Sequence, residues 1–210
     1  DEVLYLQLLL DKDPVTRFLA FSAVFEREMI RLLENENAVP STEFADTVIR
    51  TLKDEELMKS CGSMPLLMFE SVSDSRFAHE YGKLYSAKQR ILRGIAEKYE
   101  DTLRALYVKY DVSYQADGFE PAVLSAQFKA NAVKNLILTI LASLDTPDVH
   151  YLIRTQYRNA NSATNRLAAL SLYLSSSASD RMDILLEELA RSAEHPLAFE
   201  NFIAASANTA

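Results

Sequence analysis

Apolar residues recur along the chain at steps of three and four. From Ala122 they fall at 122, 126, 130, 133, 137, 140 and 144, while Gln127, Lys129, Asn131, Lys134 and Asn135 fill much of the surface between them. This spacing gathers the apolar set on one face of an amphipathic helix of many turns. A second stripe runs through Ala87, Ile91, Ile95, Tyr99, Leu103, Leu106 and Tyr110, with Lys88, Arg90, Arg93, Glu97, Glu100, Asp101 and Arg104 largely turned away from it. No sustained alternation bounded by turn residues occurs, so strands are not expected.

Punctuation sharpens the pattern. "DKDPVTRF" offers Asp13 as an N-cap with Pro14 at the first helical position, and "LDTPDVHY" repeats the device with Thr146, Pro147 and Asp148. "VPSTEFAD" offers Ser41 with Glu43 close behind, and Pro196 opens a last helix more weakly. Proline suits the first turn because that N–H has no intrahelical partner, while side-chain oxygens and acids favour the positive helix end. Helices are expected over 1–10, 13–34, 41–59, 63–70, 75–110 with a break near Ser86, 119–144, 147–158, 162–175, 179–193 and 196–205. With only four glycines in 210 residues, the connections should be short. The fold class is all-α: a superhelical array of antiparallel helix pairs, HEAT/ARM-like, without a strict repeat period. The whole chain, 1–210, reads as part of one helical domain.

Composition adds limits. The 49% hydrophobic share is ordinary for a globular protein, and the net charge of −8 argues against nucleic acid or an anionic membrane as partner. No apolar run is long enough to span a bilayer. A single cysteine, Cys61, cannot form an internal disulfide, which suits a reducing compartment and leads to a cytoplasmic expectation. The opening "DEVLYLQLLL" has no signal-peptide pattern, and Val3, Leu4, Leu6, Leu8, Leu9 and Leu10 leave it no clean polar face. Such a helix is expected to be covered on several sides, and the chain to be part of a larger protein.

Chemistry is sparse. "HEYGK" at 79–83 begins like the zinc motif H-E-x-x-H, but Lys83 stands where the second ligand must be. His150 and His195 lie beside helix starts, where capping or surface roles are expected. Cys61 has no partner for nucleophilic chemistry, "GSMPL" at 62–66 lacks phosphate-loop spacing, and "KDEELMK" at 53–59 reads as a solvated helix face with internal ion pairs. The most conspicuous polar cluster is "YRNANSATNRLAALS", 157–171, where two helical stripes meet. Asn161 or Ser162 is placed to cap the second helix, and no acid, base or nucleophile beside them suggests catalysis. The expected catalytic and metal sites in this chain are therefore none.

The stretch 132–176 resembles the C-terminal helical domain of zinc aminopeptidases of the alanyl aminopeptidase (aminopeptidase N) type. Asn135, Tyr157, Ala160, Asn161, Thr164, Ala168, Ala169 and Leu170 carry the likeness, with Ala163 where that family has Met and Asn165 where it has Asp. "LLLDKDPVTRFLA" is similar to a second family segment, retaining Asp13, Pro14 and Arg17 and placing Phe18 where Trp is usual. The resemblance implies an enzyme that removes N-terminal residues from peptides, with zinc held by H-E-x-x-H and a distal Glu in a catalytic domain upstream of Asp1 and with further helices after Ala210. It implies no cofactor in this chain itself. The implied partners are the catalytic domain of the same polypeptide and the peptide substrates, and the implied role is a lid over the substrate cavity. Tyr157, Asn161, Thr164, Asn165 and Arg166 are the candidate domain-interface or capping residues. The alternative is a stand-alone HEAT-like scaffold for protein partners, which would carry polar terminal caps.

Overall fold

A computed structural model describes residues 2–113 and 120–207. Positions 1 and 119, at the starts of two expected helices, lie outside the described residues. Among the described residues the secondary structure is helical, without strands. The chain divides into two compact units, Asp1–Ser143 and Leu144–Ala210.

The first unit contains α1 (Glu2–Leu10), α2 (Pro14–Glu34), α3 (Thr42–Leu52), α4 (Glu55–Cys61), a 3-10 turn at Met64–Leu66, α5 (Tyr81–Lys109) and α6 (Pro121–Ala142). α2 packs on α1 and α5, and α6 packs on α4 and α5. Its core includes a cluster of three rings, Phe21, Phe25 and Phe44, with centroids 5.7–6.0 Å apart. Asp13 caps α2 as expected, accepting from the Val15 and Thr16 N–H groups at 3.3 and 3.1 Å. Ser41 caps α3 through the Phe44 N–H at 3.3 Å.

Four larger departures from the expected helices occur. The single helix expected over 41–59 is two, because Asp54 interrupts it. Its carboxylate accepts the Leu57 N–H at 3.1 Å as the N-cap of α4 and takes Arg17 Nη1 at 2.8 Å. Short acids favour this capping geometry over a mid-helix position. The helix expected over 63–70 shrinks to one 3-10 turn containing Pro65, which has no N–H to continue a ladder. The helix expected from 75 begins only at Tyr81, after turns in which Asp74 accepts the Arg76 N–H at 2.9 Å. Ser86 lies in regular helix; the departure from helical geometry is at Tyr99 (φ −128°, ψ 26°), whose phenol donates to Asp46 of α3 at 2.6 Å.

The second unit contains α7 (Pro147–Asn159), α8 (Ala163–Leu174), α9 (Arg181–Ser192) and α10 (Pro196–Ala207). α7 packs closely on α8, α8 on α9, and α10 on both α8 and α9. Val149, Ile153, Tyr157, Leu170, Tyr173, Ile184 and Phe202 form its buried interior. Thr146 occupies the cap position of α7, yet its side chain makes no capping bond. The neighbouring Asp145 does not cap α7 but ties its start to the segment after α8: its carboxylate accepts the Ser177 N–H at 2.9 Å and lies 2.6 Å from His150 Nε2. Asp145 does so from a left-handed backbone (φ 50°), a conformation that aspartate tolerates better than most residues.

Candidate functional site

The corner between α7 and α8 is built from the chain outward. Ala160 ends α7 in an extended conformation, and Ser162 then caps α8, its Oγ accepting the Asn165 N–H at 3.2 Å. The cap is therefore Ser162, not Asn161, whose side chain lies at the exposed surface. Gln156, buried on α7, reaches across the corner and donates from Nε2 to the Asn165 carbonyl at 3.0 Å. One residue thus has both backbone groups satisfied by side chains on either side of the turn.

The other candidates separate. Asn165 is buried, 4% exposed, while Thr164 is exposed and Arg166 half-buried. The Arg166 Nε is buried and makes no hydrogen bond among the described residues. Tyr157, 2% exposed, points away from the cap and donates its phenol to Glu188 Oε2 of α9 at 2.8 Å. Glu188 is itself buried and has Arg191 Nε 3.4 Å from the same oxygen. Burial, followed by the hydrogen bond and charge of Glu188, pushes the Tyr157 phenol well above its ordinary pKa near 10. It stays protonated and serves as a donor.

Glu188 was missed in the sequence, although a signal exists. Ile184, Glu188 and Ser192 are the buried positions of α9, spaced i, i+4, i+8. A carboxylate in the buried row of a helix needs a specific partner, and a buried tyrosine elsewhere in the chain is a natural donor.

The arrangement binds α7 to α8 and to α9. Among the described residues no three histidine, cysteine, aspartate or glutamate side chains gather closely enough to hold a metal ion. His79 is exposed, and Lys83 pairs with Glu80 at 3.4 Å, so "HEYGK" is the irregular start of α5. Cys61 donates its thiol to the Leu57 carbonyl at 3.1 Å. His195 is exposed. No helix is long and apolar enough to cross a membrane among the described residues.

A family model described as a domain of unknown function (DUF3458_C) with ARM repeats matches residues 1–210. The chain belongs to this family. A DUF3458_C domain built of ARM repeats agrees with the all-helical array expected from the periodicity and with the helices observed in both units. No curated protein matches the sequence. Among solved structures, the fold is similar to that in the crystal structure of Legionella pneumophila aminopeptidase A in complex with aspartic acid. The TM-score is 0.78 at 16% identity, over 98% of this chain and 25% of that one. This DUF3458_C chain therefore spans about a quarter of the length of that protein.

Proposed function

We propose that the chain is the C-terminal helical domain of a zinc metallo-aminopeptidase of the alanyl type, an enzyme that releases N-terminal amino acids from peptides. The observation that carries this reading is the fold likeness to the Legionella aminopeptidase over nearly the whole chain. The two sequence segments that resemble the same class of enzyme support it. In this reading the helices dock on the catalytic domain of the same polypeptide, enclose the substrate cavity and limit access to short or unfolded peptides.

The surface supports docking. α1 turns Val3, Leu6 and Leu10 outward, and α10 exposes Leu197 and Ile203. Outer helices of a self-contained repeat array carry polar faces, so the stand-alone scaffold has less support. The described residues do not fit a zinc site, and in this reading the metal is held by residues outside this chain. When bound there it supplies the polarisation of carbonyl and water that peptide hydrolysis needs. The contribution of these helices is shape: Gln156 and the Ser162 cap fasten the α7–α8 corner, and Tyr157 ties α7 to α9. A cytoplasmic setting is part of the proposal, supported by the one unpaired cysteine.

The test uses the full-length protein that contains this chain. Release of alanine from a tripeptide and from a long unfolded peptide is measured with and without a zinc chelator. Chelator-sensitive release is expected, and Leu6→Asp combined with Leu10→Asp should raise the relative rate on the long peptide by loosening the docked face. Absence of chelator-sensitive release from either substrate would overturn the enzyme reading. Unchanged selectivity in the double variant would overturn the lid.

A further inference from the structure

A cavity of about 440 Å³ lies in the first unit among α4, the end of α5 and α6. That volume falls in the range of small-molecule pockets, roughly 300–1,000 Å³. Its walls are apolar where they are deep: Met58 is 1% exposed, and Tyr110 and Ala130 are buried. At the outer edge stand Lys59, Lys109 and Lys129. Glu55 is the acidic residue that lines the cavity, and it takes both Lys109, at 2.5 Å, and Lys59, at 3.5 Å. Among the described residues Lys129 has neither a hydrogen-bond nor an ion-pair partner.

Backbone geometry holds Lys129 there. Gly62 ends α4 at φ +62°, and a Cβ at that position would lie 3.3 Å from the Lys129 Cα and carbonyl oxygen. The glycine lets α4 and α6 approach closely and fixes the start of the Lys129 side chain at the cavity wall. Three ammonium groups against one carboxylate leave two net positive charges around an apolar hollow, in a chain whose net charge is −8. A half-buried cation without a partner beside apolar walls is complementary to a ligand with an anionic head and an apolar tail.

We propose that this cavity binds an amphipathic monocarboxylate, the carboxylate on Lys129 and Lys109 and the apolar tail against Met58, Tyr110 and Ala130. The site stands in the first unit and does not depend on the aminopeptidase reading. Octanoate is the probe, titrated into the chain carrying ¹³C-labelled methionine methyls, of which Met58 is one of five in the chain. The Met58 resonance is expected to shift saturably. Lys129→Gln should weaken octanoate about tenfold, equivalent to about 1.4 kcal/mol, and Lys129→Arg should restore most of it. Octylammonium, with the same tail and the opposite head, should give no saturable shift. Lys59→Gln, at a more exposed position, gives a smaller loss and repeats the measurement should Lys129→Gln change the unfolding midpoint. Failure of octanoate to shift Met58 saturably, equal binding of octylammonium, or wild-type affinity in both glutamine variants would each overturn the site.

Discussion

Removing one oxygen atom, in Tyr157→Phe, tests whether the hydrogen bond between α7 and α9 holds the second unit together. The ring stays in its buried place, so packing is nearly unchanged, and the loss is confined to the donor at 2.8 Å from Glu188. Hydrogen bonds to a charged acceptor contribute about 1.5–3 kcal/mol, and a buried carboxylate stripped of its donor also forfeits solvation. Arg191 offsets a part of this, but its Nε lies 3.4 Å away on a half-exposed side chain, where such pairs are weak. The expected destabilisation is therefore about 2 kcal/mol. Urea unfolding read through α7–α9 amide signals reports it, and Glu188→Gln with the double variant should show that the two side chains couple. The pH arm is independent. Below pH 10 the phenol is protonated in both states and the full stabilisation is present; as pH rises beyond that, the unfolded chain loses the proton first because the folded pKa is raised. Stability should fall in the alkaline range in the native chain and fall less in Tyr157→Phe. A variant within 0.5 kcal/mol of wild type and an unchanged alkaline limb would refute the reasoning.

Ser162→Ala should cost about 1 kcal/mol by removing the α8 cap, measurable as faster hydrogen exchange at the Asn165 N–H. Gly62→Ala should cost about 1–3 kcal/mol, because the residue needs a left-handed backbone and its Cβ would press on Lys129; a lowered thermal midpoint checks it. In acid, Asp54 and Asp145 matter. Burial acts to raise both carboxyl groups, yet hydrogen bonds from Arg17 and the Leu57 N–H in one case, and from Ser177 and His150 in the other, hold them below the ordinary value near 3.8. Their contribution is complete above about pH 4 and disappears as pH falls through the lower folded values. Asp145→Asn should flatten that acid limb in pH-dependent unfolding.

Much of the fold was legible because helix periodicity and capping are local. Asp13–Pro14, Ser41 and Pro147 mark true starts. The stripe through Ile91 is buried apart from half-buried Tyr99, and the one through Ile137 is buried from Ala130 to Ile140; Ala122 is exposed, while Asn131 and Lys134, expected on the surface, are buried. The errors fall where a distant partner decides. Asp54 breaks a continuous apolar pattern because Arg17, thirty-seven positions earlier, engages it. Tyr99 rather than Ser86 interrupts α5, at the point where the ring is tied to Asp46, fifty-three positions away. The site was legible as a polar corner and illegible as a network, since Tyr157 and Glu188 are thirty-one residues apart and only the fold brings them together.

The same contacts explain what the residues that carry the resemblance do in this chain. Asp13 and Pro14 start α2, while Arg17 donates from Nε to the Asp11 carbonyl at 2.6 Å and from Nη1 to the cap of α4. These residues start α2 and fasten it to α4. At the α7–α8 corner Asn165 stands where the resembled family has an acid. What binds the corner is the backbone at that position: the N–H on Ser162 and the carbonyl under Gln156. Neither bond requires a charge on the side chain, so exchange of a carboxylate for an amide leaves the turn intact. Asn165→Asp should accordingly preserve the Ser162 cap and add a negative charge within the first turn of α8, where the helix dipole favours it. Burial opposes that gain, because the residue is 4% exposed and an ionised carboxylate there loses its water. The measured sign of its stability change decides which of the two prevails at this corner: a gain shows the helix end dominating, a loss the desolvation.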